Sequence, residues 1–151
     1  YYRNMAESVE LVRELLTRHQ IDAWASGDGE VTLAHLPNRF EELKAEQAFL
    51  AETFGEKTDL LSVSDLRSLG LSGPRFHGGL KGQLGFGLHP LNYVRGLARA
   101  AHAAGAKIHP LSRVIRWEET AEGHRLATAA GSLKAKKVIV ATNGYTQEEV
   151  S

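Results

Sequence analysis

The residues whose pattern most suggests a binding site lie near the end of the chain. There, the apolar run Val138-Ile139-Val140-Ala141 is followed by Thr142-Asn143-Gly144-Tyr145. A continuous apolar run is typical of a strand buried on both faces of a sheet. In open α/β sheets, ligands bind beyond the carboxyl ends of such strands, where small side chains let the backbone come close. The pattern leaves two interpretations open, a ligand-binding turn or a plain strand followed by a turn.

The common signatures of phosphate, metal and nucleophilic chemistry are missing from the sequence. It contains no Gly-x-x-x-x-Gly-Lys loop and no Gly-x-Ser-x-Gly elbow. Gly27-Asp28-Gly29 fails as a dinucleotide fingerprint because Thr32 occupies the third glycine position, and Gly82, Gly85 and Gly87 have the reverse spacing. No two of the seven histidines are spaced to share one helix face as metal ligands. We therefore expect no metal site, and no chemistry performed by side chains unaided.

A glycine-rich segment runs from Gly70 to Gly87 and ends at His89-Pro90. Glycine at this density marks backbone that turns tightly or lies close against another strand or a ligand, and a loose surface loop is the alternative. His89 could face a ligand or could cap the helix that Pro90 begins. We favour the cap and assign no catalytic residue.

Hydrophobic periodicity and turn residues predict the elements that position these features. The first two thirds should contain helices over residues 4–20, 37–55 and 90–104, a helical turn that Ser64 caps, a strand over residues 30–36 that pairs with Ala23-Trp24-Ala25, and a strand over residues 60–63. In the last third, turns at Gly123 and Gly131 predict an antiparallel meander over residues 112–118, 124–129 and 132–141. Its third strand should extend into a sheet beside Lys107-Ile108-His109.

The fold class that follows is mixed α/β. A strand buried on both faces needs neighbouring strands and covering helices, and the predicted elements are too few to supply them. We therefore expect an internal piece of a longer protein. With its sheet partners missing, the piece should self-associate or expose a large apolar patch.

Composition excludes several classes of protein. Eighteen basic residues balance eighteen acidic ones, so no net charge would attract nucleic acid or an anionic membrane. The chain has no cysteine, which excludes disulfides and thiolate chemistry and suits a reducing cytoplasm. No apolar stretch reaches the roughly 20 residues that span a bilayer.

The run from Phe76 to Tyr145 resembles the middle of the glycine/D-amino-acid oxidase (DAO) family of FAD-dependent oxidoreductases. The matching segments are Gly78-Gly79, residues 87–93, residues 96–101, residues 104–108 and Val138 to Tyr145. The preceding helix, strand and 35–55 segment also fit, so the resemblance covers nearly the whole chain. The phrase Leu88-His89-Pro90-Leu91-Asn92-Tyr93 is most similar to the γ-glutamylputrescine oxidoreductase branch.

The resemblance implies an enzyme that oxidises the C–N bond of an amine or amino acid by passing hydride to FAD. Residues 1–87 would belong to the substrate-binding region and residues 88–151 to the FAD-binding region. The cofactor-binding residues it implies are Val114, through its backbone, and Ala141, Thr142, Asn143 and Gly144. The family's fingerprint and closing segments are not in these residues, so we expect the isolated chain to lack FAD and activity. A freestanding, non-catalytic α/β binding or interaction domain is the alternative.

Overall fold

The computed structural model describes residues 2–145, and the chain divides into two compact units, Tyr1–Gly105 and Ala106–Ser151. The first unit contains α1 (Tyr2–Arg18), β1 (Glu30–Ala34), α2 (Pro37–Phe54), β2 (Thr58–Leu61), α3 (Val63–Ser68), β3 (Gly78–Gly82) and α4 (Pro90–Ala103). The second contains β4 (Val114–Thr120), β5 (Gly123–Thr128), β6 (Gly131–Ala135) and a 3-10 helix, Asn143–Tyr145. Both units mix helical and extended elements or turns, as the sequence predicted for the chain.

The first unit is built on a three-stranded antiparallel sheet with the order β1-β3-β2. Helix α2 packs on this sheet because its apolar side chains meet those of the central strand. The buried centre comprises Ala34, Leu43 and Leu80, and half-buried side chains from α2 and β2 surround it. The core therefore joins β1 and α2, which follow each other in the sequence, to β3, which comes more than 20 residues later.

Local sequence sets the ends of α2 and α3. Pro37 begins α2, and Gly55 ends it in the left-handed conformation at φ 68°, where its N–H donates to the Ala51 carbonyl at 3.0 Å. Helix α3 begins at a capping box in which the Ser62 hydroxyl accepts from the Asp65 N–H and the Asp65 carboxylate accepts from the Ser62 N–H. The prediction that Ser64 caps this helix was therefore wrong by two residues.

Helices α1 and α4 confirm the predicted helices over residues 4–20 and 90–104 to within two residues at each end. Immediately after α1, Ile21 packs on Gly96 of α4. A Cβ built on Gly96 would lie 2.2 Å from Ile21 Cγ2, so glycine permits this approach. At the other end of α1, the Tyr2 ring stacks on Phe54 of α2 at 4.5 Å between centroids.

The predicted pairing of Ala23-Trp24-Ala25 with the following strand was wrong. Strand β1 pairs with β3, and the segment before it is bonded to residues 87–89. Ser26 and Gly87 exchange both backbone hydrogen bonds, at 3.0 and 2.8 Å, and the His89 N–H donates to the Ala23 carbonyl at 2.7 Å. A bonding partner more than 60 residues away leaves no local signature in the sequence.

The second unit confirms the predicted meander. Its sheet has the order β4-β5-β6 with antiparallel pairing throughout. Trp117 lies opposite Leu126, which lies opposite Leu133, so these three side chains share one face of the sheet. The register shifts between Val114 and Arg116, which marks a bulge near the start of β4.

Two further strand predictions were wrong. Residues 136–141 continue from β6 without strand pairing, and Ile139 is 91% exposed. Lys107-Ile108-His109 is likewise irregular, and Ile108 is 50% exposed. A doubly buried strand forms only when neighbouring strands bond to it, and no described residues pair with either segment. In the described range, 2–145, none of the helices combines the length and apolarity needed to cross a membrane.

Candidate functional site

The predicted cofactor-binding residues all lie in the second unit. Val114 is the first residue of β4, is half-buried and stands opposite Thr128. Because β4 is an edge strand of its sheet, one side of its backbone faces away from β5. An edge strand presents the backbone N–H and C=O groups of alternate residues outward in a row, and Val114 lies at the start of such a strand.

The other four predicted residues, Ala141 to Gly144, follow the meander. All four are exposed, and Asn143 has a φ of 50° at the start of the 3-10 helix. A Cβ built on Gly144 would meet no atom within 4 Å among the described residues. The segment is thus an exposed turn of small residues rather than the end of a buried strand.

These positions fit the demands of a nucleotide-type ligand such as FAD. Such a ligand is bound largely by backbone amides, which need small neighbouring side chains and an open approach. The edge of β4 and the turn at residues 141–144 provide both. The structure places the two segments in one unit, but the residues just before the turn, 136–141, do not form the strand that was predicted there.

The middle of the glycine-rich segment forms part of the first sheet. Gly78 and Gly79 begin β3, the central strand of the first sheet, so a loose loop is wrong for this part of the segment. A Cβ on Gly78 would lie 2.3 Å from the Phe40 ring, and one on Gly79 would lie 3.1 Å from the Thr32 carbonyl oxygen. These glycines allow close packing against a helix and a strand.

His89 caps α4, as favoured from the sequence. Its Nδ1 accepts a hydrogen bond from the Asn92 N–H at 3.3 Å. Its ring also meets the Trp24 ring edge-on, with 4.8 Å between centroids. The cap occupies one ring nitrogen, which leaves Nε2 as the atom available to other groups.

Trp24 is a feature that sequence reasoning missed. The residue is 65% exposed and has a φ of 52°, in the left-handed region that bulky side chains rarely adopt. The Asp22 carboxylate accepts a hydrogen bond from the Trp24 N–H at 3.3 Å. An aspartate two residues before the turn was the available signal, since its side chain stabilises such turns.

An open cavity of about 440 Å³ lies between the end of α1 and the last turns of α4. Its lining includes His19, Gln20, Gly96 and Arg99, together with three alanines near the end of α4. Nearer the start of α1, partial burial raises the pKa of Tyr2 to about 12, and a hydrogen bond and the charge of Glu56 add to this shift. Over residues 2–145, no three acidic or histidine side chains cluster as metal ligands.

Comparison with known proteins places these features in a family. The profile described as "DAO: FAD dependent oxidoreductase" matches residues 1–151. The chain is 33% identical over 147 residues to gamma-glutamylputrescine oxidoreductase of Escherichia coli (strain K12), covering 97% of this chain and 34% of that protein. It is 29% identical over 140 residues to the probable oxidoreductase OrdL of Haemophilus influenzae, covering 92% and 32%. The chain thus spans about a third of the length of these curated relatives.

Solved structures share the fold. Glycine oxidase from Geobacillus kaustophilus superposes with a TM-score of 0.78 at 23% identity, covering 93% of this chain and 38% of that one. NikD, an unusual amino acid oxidase essential for nikkomycin biosynthesis, superposes with a TM-score of 0.72 at 22% identity, covering 93% and 36%. These structural likenesses show the fold, and the profile match over the whole sequence shows the descent. The chain therefore belongs to the DAO family of FAD-dependent oxidoreductases.

Proposed function

We propose that this chain, within a polypeptide of its relatives' full length, takes part in oxidising the C–N bond of an amine or amino acid with FAD. The observation that carries the proposal is the family match over residues 1–151. The names of the relatives add to it, because a gamma-glutamylputrescine oxidoreductase and a glycine oxidase both act on nitrogen-bearing compounds. The substrate is accordingly a small amine or amino acid.

The chain contributes to both regions of the family's fold. Residues 1–87 serve the substrate-binding region and residues 88–151 the FAD-binding region. The compact units divide at a different point, after Gly105, because α4 packs on Ile21 of the first unit. Helix α4 therefore belongs to the first compact unit, although the resemblance assigns it to the FAD-binding region.

Within the FAD-binding region, the backbone of Val114 and the segment Ala141, Thr142, Asn143 and Gly144 contact the cofactor. Support comes from the edge position of β4 and from the exposure of the four turn residues. The bound flavin supplies the hydride acceptor, while the protein orients the amine and excludes water. We assign these residues a binding role through backbone groups and give none of them a proton-transfer role.

Substituting Val114 tests the backbone contact in a full-length polypeptide. Val114→Pro removes the N–H at the first residue of a strand, where proline is tolerated. Loss of one hydrogen bond of about 0.5–1.5 kcal/mol should weaken FAD binding roughly two- to ten-fold. Val114→Ala keeps the N–H and is the matched control, with FAD affinity expected within about two-fold of the parent. Equal affinity for both variants would remove Val114 from the site.

The 151-residue chain itself should purify without colour. Family members hold the pyrophosphate chiefly at the head of a helix that follows a glycine fingerprint, and this sequence contains no such fingerprint. Each missing charge-assisted hydrogen bond is worth about 1.5–3 kcal/mol, so a set of them weakens binding by several powers of ten. Titration with FAD, followed by flavin fluorescence and calorimetry, checks this. Sub-micromolar binding with an amine-reducible flavin would contradict it.

Self-association and a cytoplasmic location complete the proposal. Large apolar side chains are exposed in the second unit, with Leu111, Ile115, Leu133, Ile139 and Val140 among them. Apolar surface of this kind favours association between copies. Light scattering should show concentration-dependent dimers or larger species, reduced in an Ile139→Lys variant, whereas strictly monomeric behaviour would count against the idea.

The absence of cysteine suits a reducing compartment, and fractionation of the source cells tests the location.

A further inference from the structure

Trp24 is an exposed residue next to backbone that is bonded to the start of α4. Ile21 and Ala23, three residues and one residue before it, are 7% and 2% exposed, whereas Trp24 is 65% exposed and Ala25 after it is exposed as well. The Ala23 carbonyl accepts from the His89 N–H at 2.7 Å. The backbone beside Trp24 is therefore bonded to the start of α4, while the indole itself is largely exposed.

The backbone conformation at Trp24 adds a second observation. A φ of 52° is strained for a bulky side chain, and such residues concentrate at ligand contacts, where the surrounding structure compensates for the strain. The compensation here is the hydrogen bond from the Trp24 N–H to the Asp22 carboxylate.

The charge beside the indole indicates what could bind. Asp22 forms no salt bridge with any basic side chain among residues 2–145. A carboxylate next to an exposed indole attracts an organic cation through charge and through the electron-rich ring face. The His89 ring packs edge-on against the indole and leaves the rest of it open.

We propose that Asp22 and Trp24, with His89 as the side wall, form a recognition point for the ammonium group of an aliphatic amine. The inference rests on the proposed function, since amine oxidation supplies the reason for such a ligand. Asp22 and Trp24 act here in binding and specificity, and neither is assigned a catalytic role. An ammonium at this corner would hold one end of the ligand while the rest of it extends away from the indole.

The sequence contains two tryptophans, so indole ¹⁵N NMR of the 151-residue chain reports on this corner directly. Titration with n-butylammonium should shift the Trp24 signal saturably, while the Trp117 signal in the second unit serves as the internal reference. Neutral n-butanol of the same length should produce no saturable shift. Asp22→Asn keeps an oxygen that can accept from the Trp24 N–H, so it removes the charge and preserves the turn.

The variants give the magnitudes. Asp22→Asn should weaken n-butylammonium binding about two- to five-fold, as expected for a solvent-exposed charge pair, and Asp59→Asn on β2 should leave it unchanged. Trp24→Leu should weaken binding by at least a similar factor, measured by ligand-observed NMR because the reporter is lost. Equal shifts with n-butanol, equal shifts at Trp117, or no effect of Asp22→Asn would overturn the inference.

A kinetic arm separates this inference from the proposed function. In a full-length polypeptide that oxidises amines, Asp22→Asn should raise KM for the amine about two- to five-fold with kcat unchanged, because binding is lost equally in ground and transition states. An unchanged KM in an active enzyme would overturn the recognition point alone. A full-length polypeptide without amine oxidation would overturn the proposed function. The NMR titration would still show whether Asp22 and Trp24 bind an ammonium group.

Discussion

The two three-stranded sheets of this chain have the same number of strands but different degrees of burial. The first sheet, β1-β3-β2, lies against helix α2 and contributes Ala34 and Leu80 to a closed core. The second sheet, β4-β5-β6, contains no fully buried residue between residues 114 and 135. Its apolar face carries Leu133, which is 59% exposed.

Connectivity explains the difference. Strands β1, β2 and β3 are separated by α2 and α3, so forming the sheet brings helices onto it. Strands β4, β5 and β6 are joined by two tight turns, and no helix lies between them to cover a face. In the first sheet, the helices that connect the strands also cover one face. The meander forms from local contacts, and its apolar face is left for another part of the protein to cover.

The largest expected effect comes from truncating matched leucines in the two units. Leu66 is 1% exposed, so Leu66→Ala should destabilise the first unit by about 2–5 kcal/mol. Leu133→Ala, at an exposed position, should change the stability of the second unit by less than about 0.5 kcal/mol. Urea unfolding checks both, with Trp24 and Trp117 fluorescence read separately in single-tryptophan backgrounds. A comparable cost for Leu133→Ala would show that the meander face is covered in solution.

A matched pair of glycines gives the next effect. Gly78 has a φ of 143°, and a Cβ there would lie 2.3 Å from the Phe40 ring and 2.9 Å from the Leu61 carbonyl oxygen. Gly78→Ala should cost about 1–3 kcal/mol, because neither backbone nor ring can yield without loss of packing. Gly131 in the meander has open space around it, so Gly131→Ala should fall within about 0.5 kcal/mol of the parent. Thermal unfolding of both variants would reveal whether the two sheets tolerate side chains equally.

The smallest effect concerns the cap of α3, which belongs to the first unit. Ser62→Ala removes the hydroxyl that accepts from the Asp65 N–H and should cost about 0.5–2 kcal/mol. Ser64→Ala is the matched control and should cost less, because the Ser64 hydroxyl bonds to the Ser62 hydroxyl and caps no backbone group of this helix. A larger loss for Ser64→Ala would contradict the assigned cap.

The same cap predicts a pH dependence. Hydrogen bonds from the Ser62 hydroxyl and backbone hold the pKa of Asp65 below its usual 3.8. A lowered pKa contributes stability above the unfolded value, and that contribution is lost as the pH falls through the folded pKa. The stability difference between the parent and Ser62→Ala should therefore shrink below about pH 4. NMR titration of the Asp65 carboxyl should show its pKa rising in Ser62→Ala, and an unchanged pKa would refute the link.

Features with local causes were predictable from the sequence. The ends of α2 follow from Pro37 and Gly55, and the meander follows from its turns at Gly123 and Gly131. The cap by His89 also followed from the proline beside it. For the candidate site, the resemblance implied the segment 141–144, and that assignment stays a prediction. The buried strand predicted before the segment was wrong, because the structure has exposed chain there.

The sequence by itself determined the helices, the meander and the family, because periodicity, turn residues and matching segments are encoded within short stretches. Only the tertiary structure decided which strands pair across α2 and α3, why Gly78 must be glycine, and that Trp24 stands exposed beside His89. These features depend on contacts between residues that are 17 to 65 positions apart. The free energy of such contacts depends on packing in three dimensions, and neither local propensity nor spacing records it.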